Sequence, residues 1–273
     1  SDLTEAQLQM LNTLLNTTFT GLTLDEITPE RLTELELLHQ PERVIIEYNG
    51  MWLVSNFEKM QLPTGWGVEQ QITCVDGSTF QMYMANMKSI FMDMIKNTDM
   101  VIFNRCKKED PLPTYRRGIK VANQRAEVIF EDEEGELGDI FQDEMPFDMN
   151  APVIEILPED YGIWFVDAMD HPENYEGKTV KFKARVMKPR GMGSKFFVPG
   201  RTAMTCCADD TTFLGYVCKS AYAPKLTPGE WVEVTAKVGI EKRNEYQGEE
   251  GIVLDAEHVE QCDPLEDEMV YFN

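Results

Sequence analysis

Thr179-Val180-Lys181-Phe182-Lys183-Ala184-Arg185-Val186-Met187 alternates apolar and polar side chains, and Trp231-Val232-Glu233-Val234-Thr235-Ala236-Lys237-Val238-Gly239-Ile240 repeats the pattern. Successive side chains of a strand point to opposite faces, so each stretch reads as a half-buried strand with its apolar side inward. Each is entered through a glycine and a charged residue, Gly177-Lys178 and Gly229-Glu230. Residues 251–260 supply a hairpin partner for the second strand, through a polar turn containing Gly248. Two long alternating strands with shorter ones between them predict a small Greek-key barrel of the OB type, whose closure removes exposed sheet edges. Ahead of them, residues 158–169 read as a turn and a helix that buries Ile163, Trp164, Phe165 and Val166.

Working outward, the first part of the chain reads as an α+β unit. Leu3, Leu8, Leu11, Leu14 and Leu15 recur at helical spacing, with Thr4 and Gln7 as a capping box and Gly21 as the stop. Thr28 caps a second helix that has Pro29 in its first position. Asn49-Gly50 and Asp76-Gly77 each sit between short β-rich runs, 44–48 with 51–54 and 68–75 with 78–83, and predict two hairpins. A helix over 84–96 turns Met87, Ile90, Phe91 and Met94 inward, and a strand follows at 100–103. From Glu131 to Asp148 carboxylates crowd together. That block reads as a solvated linker, since it lacks the alternating ligands of a calcium loop. The expected organisation is α+β: an N-terminal α+β domain over residues 1–148 and an OB-like β-barrel over 149–273.

The 48 acidic against 25 basic residues leave a formal charge of −23, which repels phosphate backbones and anionic bilayers. The one basic stripe, Lys181, Lys183, Arg185, Lys188 and Arg190, lacks the interleaved aromatics on which bases stack, so no nucleic-acid partner is expected. No run reaches the roughly 20 apolar residues that span a bilayer, so no direct membrane insertion is expected either. The chain opens at Ser1 without a methionine, which reads as removal of a start codon, a signal peptide or a membrane anchor. Glycine-rich phosphate loops, dinucleotide fingerprints and nucleophile elbows are absent from the sequence.

Three of the six cysteines fall between residues 200 and 218, beside Asp209 and Asp210. Adjacent cysteines on a strand diverge, so Cys206 and Cys207 would share one ion only where the backbone bends. With a bend at residues 208–210, Cys206, Cys207, Asp209 and Cys218 would form a metal site suited to zinc, with His258 or Cys262 as further ligands. The competing readings are disulfides, Cys207 with Cys218 and Cys74 with Cys106, or buried free thiols. A nucleophilic thiol needs a base, and only His39, His171 and His258 are on offer.

Tyr175-x-Gly177-Lys178, Phe196-x-Val198, Gly200-Arg201-x-x-Met204-x-Cys206-Cys207-x-Asp209, Gly215, Trp231-Val232-x-Val234 and Val270-Tyr271 together resemble the C-terminal domain of the YcgQ-like family. Its members are predicted permease subunits of unknown function, with N-terminal membrane helices before an extracytoplasmic domain. The resemblance spans about residues 152–273 and implies a membrane permease as partner and a link to metal homeostasis. This chain lacks the membrane helices, and residues 1–150 match nothing in that family. The expected function is a non-enzymatic, extracytoplasmic binding or assembly protein, secreted or surface-anchored. The alternatives are a thiol-dependent enzyme or redox protein using Cys206 or Cys207, and a cytoplasmic location.

Overall fold

The computed structural model describes residues 17–138, 145–205 and 211–270. The leucine-spaced helix expected over residues 3–15 lies outside them. Helix α1 (Pro29–His39) is capped by the Thr28 hydroxyl, which accepts from the Arg31 amide at 3.2 Å. A short α2 (Val54–Glu58) follows, then β1 (Ile72–Asp76), α3 (Phe80–Ile95), β2 (Met100–Asn104), α4 (Leu112–Ala122) and β3 (Glu127–Phe130).

These strands form a parallel sheet of order β1-β2-β3, with Ile72 opposite Met100 and Val101 opposite Val128. Parallel neighbours need crossovers, here α3 and α4, so the two expected hairpins are corrected. Asn49-Gly50 does make a turn, closed by the Trp52 amide on the Asn49 carbonyl at 2.9 Å, but its flanks are not strands and Ile45 is exposed. Asp76-Gly77 is a strand-to-helix turn. A Cβ at Gly77 would meet the Cys106 sulfur at 2.7 Å and the Asn104 carbonyl at 3.0 Å, so glycine is needed for the close approach of the β2 end. The expected helix over 84–96 exists and starts earlier, at Phe80, whose ring packs edge-on against Phe91, Phe103 and Tyr115.

The second half adds β4 (Ile154–Glu155), α5 (Tyr161–Asp170), β5 (Thr179–Met187), β6 (Phe196–Met204), β7 (Thr211–Gly215), β8 (Val217–Lys219), β9 (Trp231–Lys242), β10 (Glu250–Gln261) and β11 (Met269–Val270). β5 pairs with β6, β6 with β8, β8 with β10, β10 with β9, and β9 with β5, which closes a five-stranded barrel. Only the β8–β10 pair in this ring is parallel. In order of appearance the ring runs first, second, third, fifth, fourth, a Greek-key closure of OB type. β5 alternates buried and half-buried positions along its whole length, as its sequence predicts.

Helix α5 lies against the barrel core. Its Trp164 ring packs 4.8 Å from Phe182 and edge-on to Tyr216, and the Tyr161 hydroxyl donates to the Leu214 carbonyl at 3.0 Å. Burying each such large apolar side chain stabilises the fold by about 1.5–3 kcal/mol. Two hydrophobic clusters result. One is drawn from residues between Val75 and Leu137, the other from residues between Ile154 and Val270 together with Val121 of α4.

Candidate functional site

The sequence-predicted ligand set is not gathered among the described residues. Cys206, Cys207 and Asp209 lie outside them. Cys218 on β8 is fully buried in the barrel interior, where burial pushes its thiol far above the ordinary value. His258 stands on the outer face of β10, exposed, and meets Glu260 at 3.3 Å. Cys262 follows β10 and is half-buried, its thiol also raised by burial. A zinc ion needs its ligands within about 2.3 Å, and Cys218 and His258 face opposite sides of the barrel wall. Among the described residues no three His, Cys, Asp or Glu side chains are placed to hold a metal ion.

Of the competing readings for Cys74 and Cys106, a disulfide or free thiols, the structure has free thiols, Cys74 exposed and Cys106 buried. Burial, reinforced by Asp110, pushes Cys106 up to about 11. Cys218 is a buried free thiol as well.

The glycine and arginine of the Gly200-Arg201 motif have structural work. A Cβ on Gly200 would meet the Leu214 carbonyl at 2.3 Å, and one on Gly215 would meet the Pro199 carbonyl at 2.7 Å. β6 and β7 therefore approach as only glycines allow. Arg201 is 2% exposed and donates to the carbonyls of Pro158, Asp267 and Met269, with its guanidinium 5.5 Å from the Tyr161 ring centre. It ties the start of α5 and the end of the chain to the barrel.

The open surface lies at one end of the barrel, between the β5–β6 loop and the β9–β10 loop. Pro189, Arg190, Gly191, Met192 and Gly193 form one wall, and Lys242, Arg243, Asn244 and Glu245 the other, around a cleft of about 630 Å³. In OB barrels these two loops bind ligands. The first loop sits in the middle of a basic segment: Lys178, Lys181, Lys183, Arg185, Lys188, Arg190, Lys195 and Arg201 occur between Glu176 and Asp209 with no acidic residue among them. Arg243 reaches from the second loop to the start of β6. It pairs with Glu245 at 3.0 Å and Glu241 at 3.6 Å while its guanidinium lies 4.4 Å from the Phe196 ring centre.

The second loop is held in shape from below. The Tyr246 hydroxyl accepts from the Val217 amide at 3.2 Å and donates to the Ile252 carbonyl, and its ring covers Gly251, where a Cβ would meet it at 2.5 Å. Arg190 was part of the basic stripe read from sequence, whereas Lys242 and Arg243 were not singled out. Their partners lie some fifty positions upstream, and only barrel closure brings the loops together.

Two other polar groupings lie outside the barrel end. At the carboxyl end of the parallel sheet, hydrogen bonds from Ser78 and Arg105 hold the Asp76 carboxyl below its ordinary value, and the Asn104 side-chain oxygen is buried with no hydrogen-bond partner among the described residues. Between the two units Arg116, Asp167, Asp170 and His171 line a recess of about 30 Å³, the size of a single water.

Residues 136–272 match the family model of the DUF1980 C-terminal domain. No curated protein matches the chain. Among solved structures, the mitochondrial single-stranded DNA binding protein Rim1 of S. cerevisiae is 10% identical over 32% of this chain and 97% of its own, with a TM-score of 0.21. An aspartyl tRNA synthetase from Entamoeba histolytica is 15% identical over 43% of this chain and 27% of its own, with a TM-score of 0.23. Scores this low carry no argument about function.

Proposed function

Since the chain belongs to the family of the DUF1980 C-terminal domain, we propose that it is a non-catalytic binding or assembly module whose contact surface is the loop end of the OB-like barrel. The observation that carries this reading is the cleft between residues 189–193 and 242–245, open to solvent and built on a loop locked by Tyr246. A surface preorganised in this way loses little conformational freedom when a partner docks.

The enzyme reading finds less support. Cys218, the described member of the cysteine cluster, is buried with its thiol raised, and a raised thiol carries little of the nucleophilic thiolate. Among the described residues His258 pairs with Glu260 and His171 with Glu173, both on exposed ground. A metal-linked role would run through Cys206, Cys207 and Asp209.

The finer reading places the protein outside the cytoplasm beside a membrane permease, on the strength of the motif that runs from Tyr175 to Val270. Among the described residues no helix is long and apolar enough to cross a membrane. Photo-crosslinkers placed at positions 192 and 258 in cells making the protein test both levels. A discrete adduct from 192 and none from 258 is expected. Equal yields at the two positions would overturn the loop-end surface. A discrete adduct with a soluble protein would remove the permease and leave the binding role. Rapid selective alkylation of Cys206 or Cys207 would favour the thiol enzyme instead.

A further inference from the structure

On the premise that the loop end of the barrel is a binding surface, we infer that its cleft takes the phosphoryl group of a small soluble molecule. Arg190 and Lys242 stand on opposite walls, one from each loop. Among the described residues neither is paired with a carboxylate, whereas Arg243 between them is held by Glu241 and Glu245. Glu245 also lines the cleft, and its charge is spent on Arg243, which keeps it ionised below its ordinary value. What the cleft presents to a ligand is therefore two cations without a carboxylate partner among the described residues, beside an Arg243–Glu241–Glu245 cluster of net charge −1.

The backbone of the first loop adds donors. Gly191 and Gly193 take φ of +88° and +72°, while Arg190 and Met192 stay outside the left-handed region. Neither glycine has a neighbour that a Cβ would strike closer than 3.7 Å, so the glycines serve conformation and not packing. The Met192 amide donates to the Pro189 carbonyl at 3.4 Å, so the chain turns at Arg190-Gly191, and turns of this kind gather neighbouring N–H groups around an anion. Among the described residues neither glycine amide donates to a backbone carbonyl.

A phosphoryl group offers three acceptor oxygens and so takes donors from both walls and from the loop backbone at once, where a carboxylate offers two. The cleft, about 630 Å³ and open to solvent, has room for a small molecule. The chain's net charge of −23 opposes the long-range approach of a polyanion or an anionic bilayer, and the repulsion grows with the partner's charge. The same field opposes a small phosphorylated molecule much less.

The test uses the whole chain with ¹³C-methyl methionine, the Met192 signal being assigned from Met192→Leu. Pyrophosphate should move that signal saturably, with Kd below about 1 mM, and the double variant Arg190→Gln, Lys242→Gln should weaken binding at least about tenfold. Phosphatidic acid vesicles and a single-stranded oligonucleotide are expected to leave the signal in place. Binding of either, without competition from pyrophosphate, would overturn the small-molecule assignment. An unchanged Kd in the double variant would overturn the site. A shift with citrate or an acidic peptide but none with pyrophosphate up to about 10 mM would overturn the phosphoryl assignment and leave the binding surface intact. No shift in any arm would take both down.

Discussion

Arg116 of α4 donates from Nε to Asp170 at the end of α5 at 2.9 Å, and Lys120 reaches the other oxygen of the same carboxylate at 3.5 Å. Two cations of the parallel-sheet unit thus converge on one anion of the barrel half. Asp170 is 10% exposed and Lys120 11%, so water screens this cluster far less than it screens the surface pair Arg43–Glu69. Val121 of the same helix enters the barrel's apolar cluster one position beyond Lys120. Charge and packing together fix how the two halves meet.

Neutralising the anion takes from Lys120 and Arg116 the carboxylate that they share, which is the costly way to perturb a part-buried cluster. Asp170→Asn should lower unfolding stability by about 2 kcal/mol. Urea unfolding followed by tryptophan fluorescence reads the effect, with Arg43→Ala expected to fall within about 0.5 kcal/mol of the parent. An Asp170→Asn midpoint equal to that of Arg43→Ala would show that the cluster adds nothing.

The β6–β7 crossing gives a steric prediction with a built-in control. Gly200→Ala places a methyl group 2.3 Å from the Leu214 carbonyl, a backbone atom that has nowhere to go. Gly239→Ala in β9 meets nothing nearer than 3.7 Å. The first substitution should cost more than about 2 kcal/mol, and the second should be neutral or stabilise by up to about 1 kcal/mol. Thermal unfolding of the two proteins side by side decides it, and similar midpoints would mean that the crossing relaxes.

These glycines also show what the sequence could and could not reveal. The alternation in Thr179–Met187 depends on nearest neighbours alone, so the strand, its inward face and the OB-type barrel were legible. Asp76-Gly77 misled because the same dipeptide serves a hairpin and a strand-to-helix turn, and the choice is made by Cys106 and Asn104, nearly thirty residues on. The cleft was half legible. Arg190 belongs to a visible basic run, but Lys242 faces it only through the pairing of β5 with β6 and with β9, and of β9 with β10. Gly200 and Arg201 were visible as a motif, and their packing role needed the positions of Leu214 and Pro158.

Thiol ionisation gives a pH prediction. In the folded chain burial keeps the Cys106 thiol protonated up to about 11, while the unfolded thiol ionises near its ordinary value of 9.0. The folded pKa is the raised one, so this group's contribution is complete below pH 9.0 and declines as pH climbs toward about 11. Cys106→Ala should therefore flatten the fall in the urea midpoint over that interval. Parallel slopes in the parent and the variant would remove Cys106 as the cause. At pH 8, a disulfide-exchange reagent should label exposed Cys74 well before Cys106 or Cys218.

The last prediction concerns the loop lock. The Tyr246 hydroxyl satisfies the Val217 amide on one side and the Ile252 carbonyl on the other, joining β8 and β10 beneath the β9–β10 loop. Tyr246→Phe keeps the ring over Gly251 and removes both hydrogen bonds, leaving a part-buried donor and acceptor unpaired at a cost of about 1–3 kcal/mol. The effect should be local first. Amide exchange should rise in residues 243–249 while β5 and β9, held by the full barrel ladder, keep their protection. Met192, across the cleft and on the other loop, should keep its chemical shift in the free protein, while pyrophosphate binding weakens because Lys242 and Arg243 lose their fixed position. Unchanged exchange at 243–249 would mean that the Arg243–Glu245 pair, and not Tyr246, shapes the loop, and the same measurement on Glu245→Gln would then show the rise.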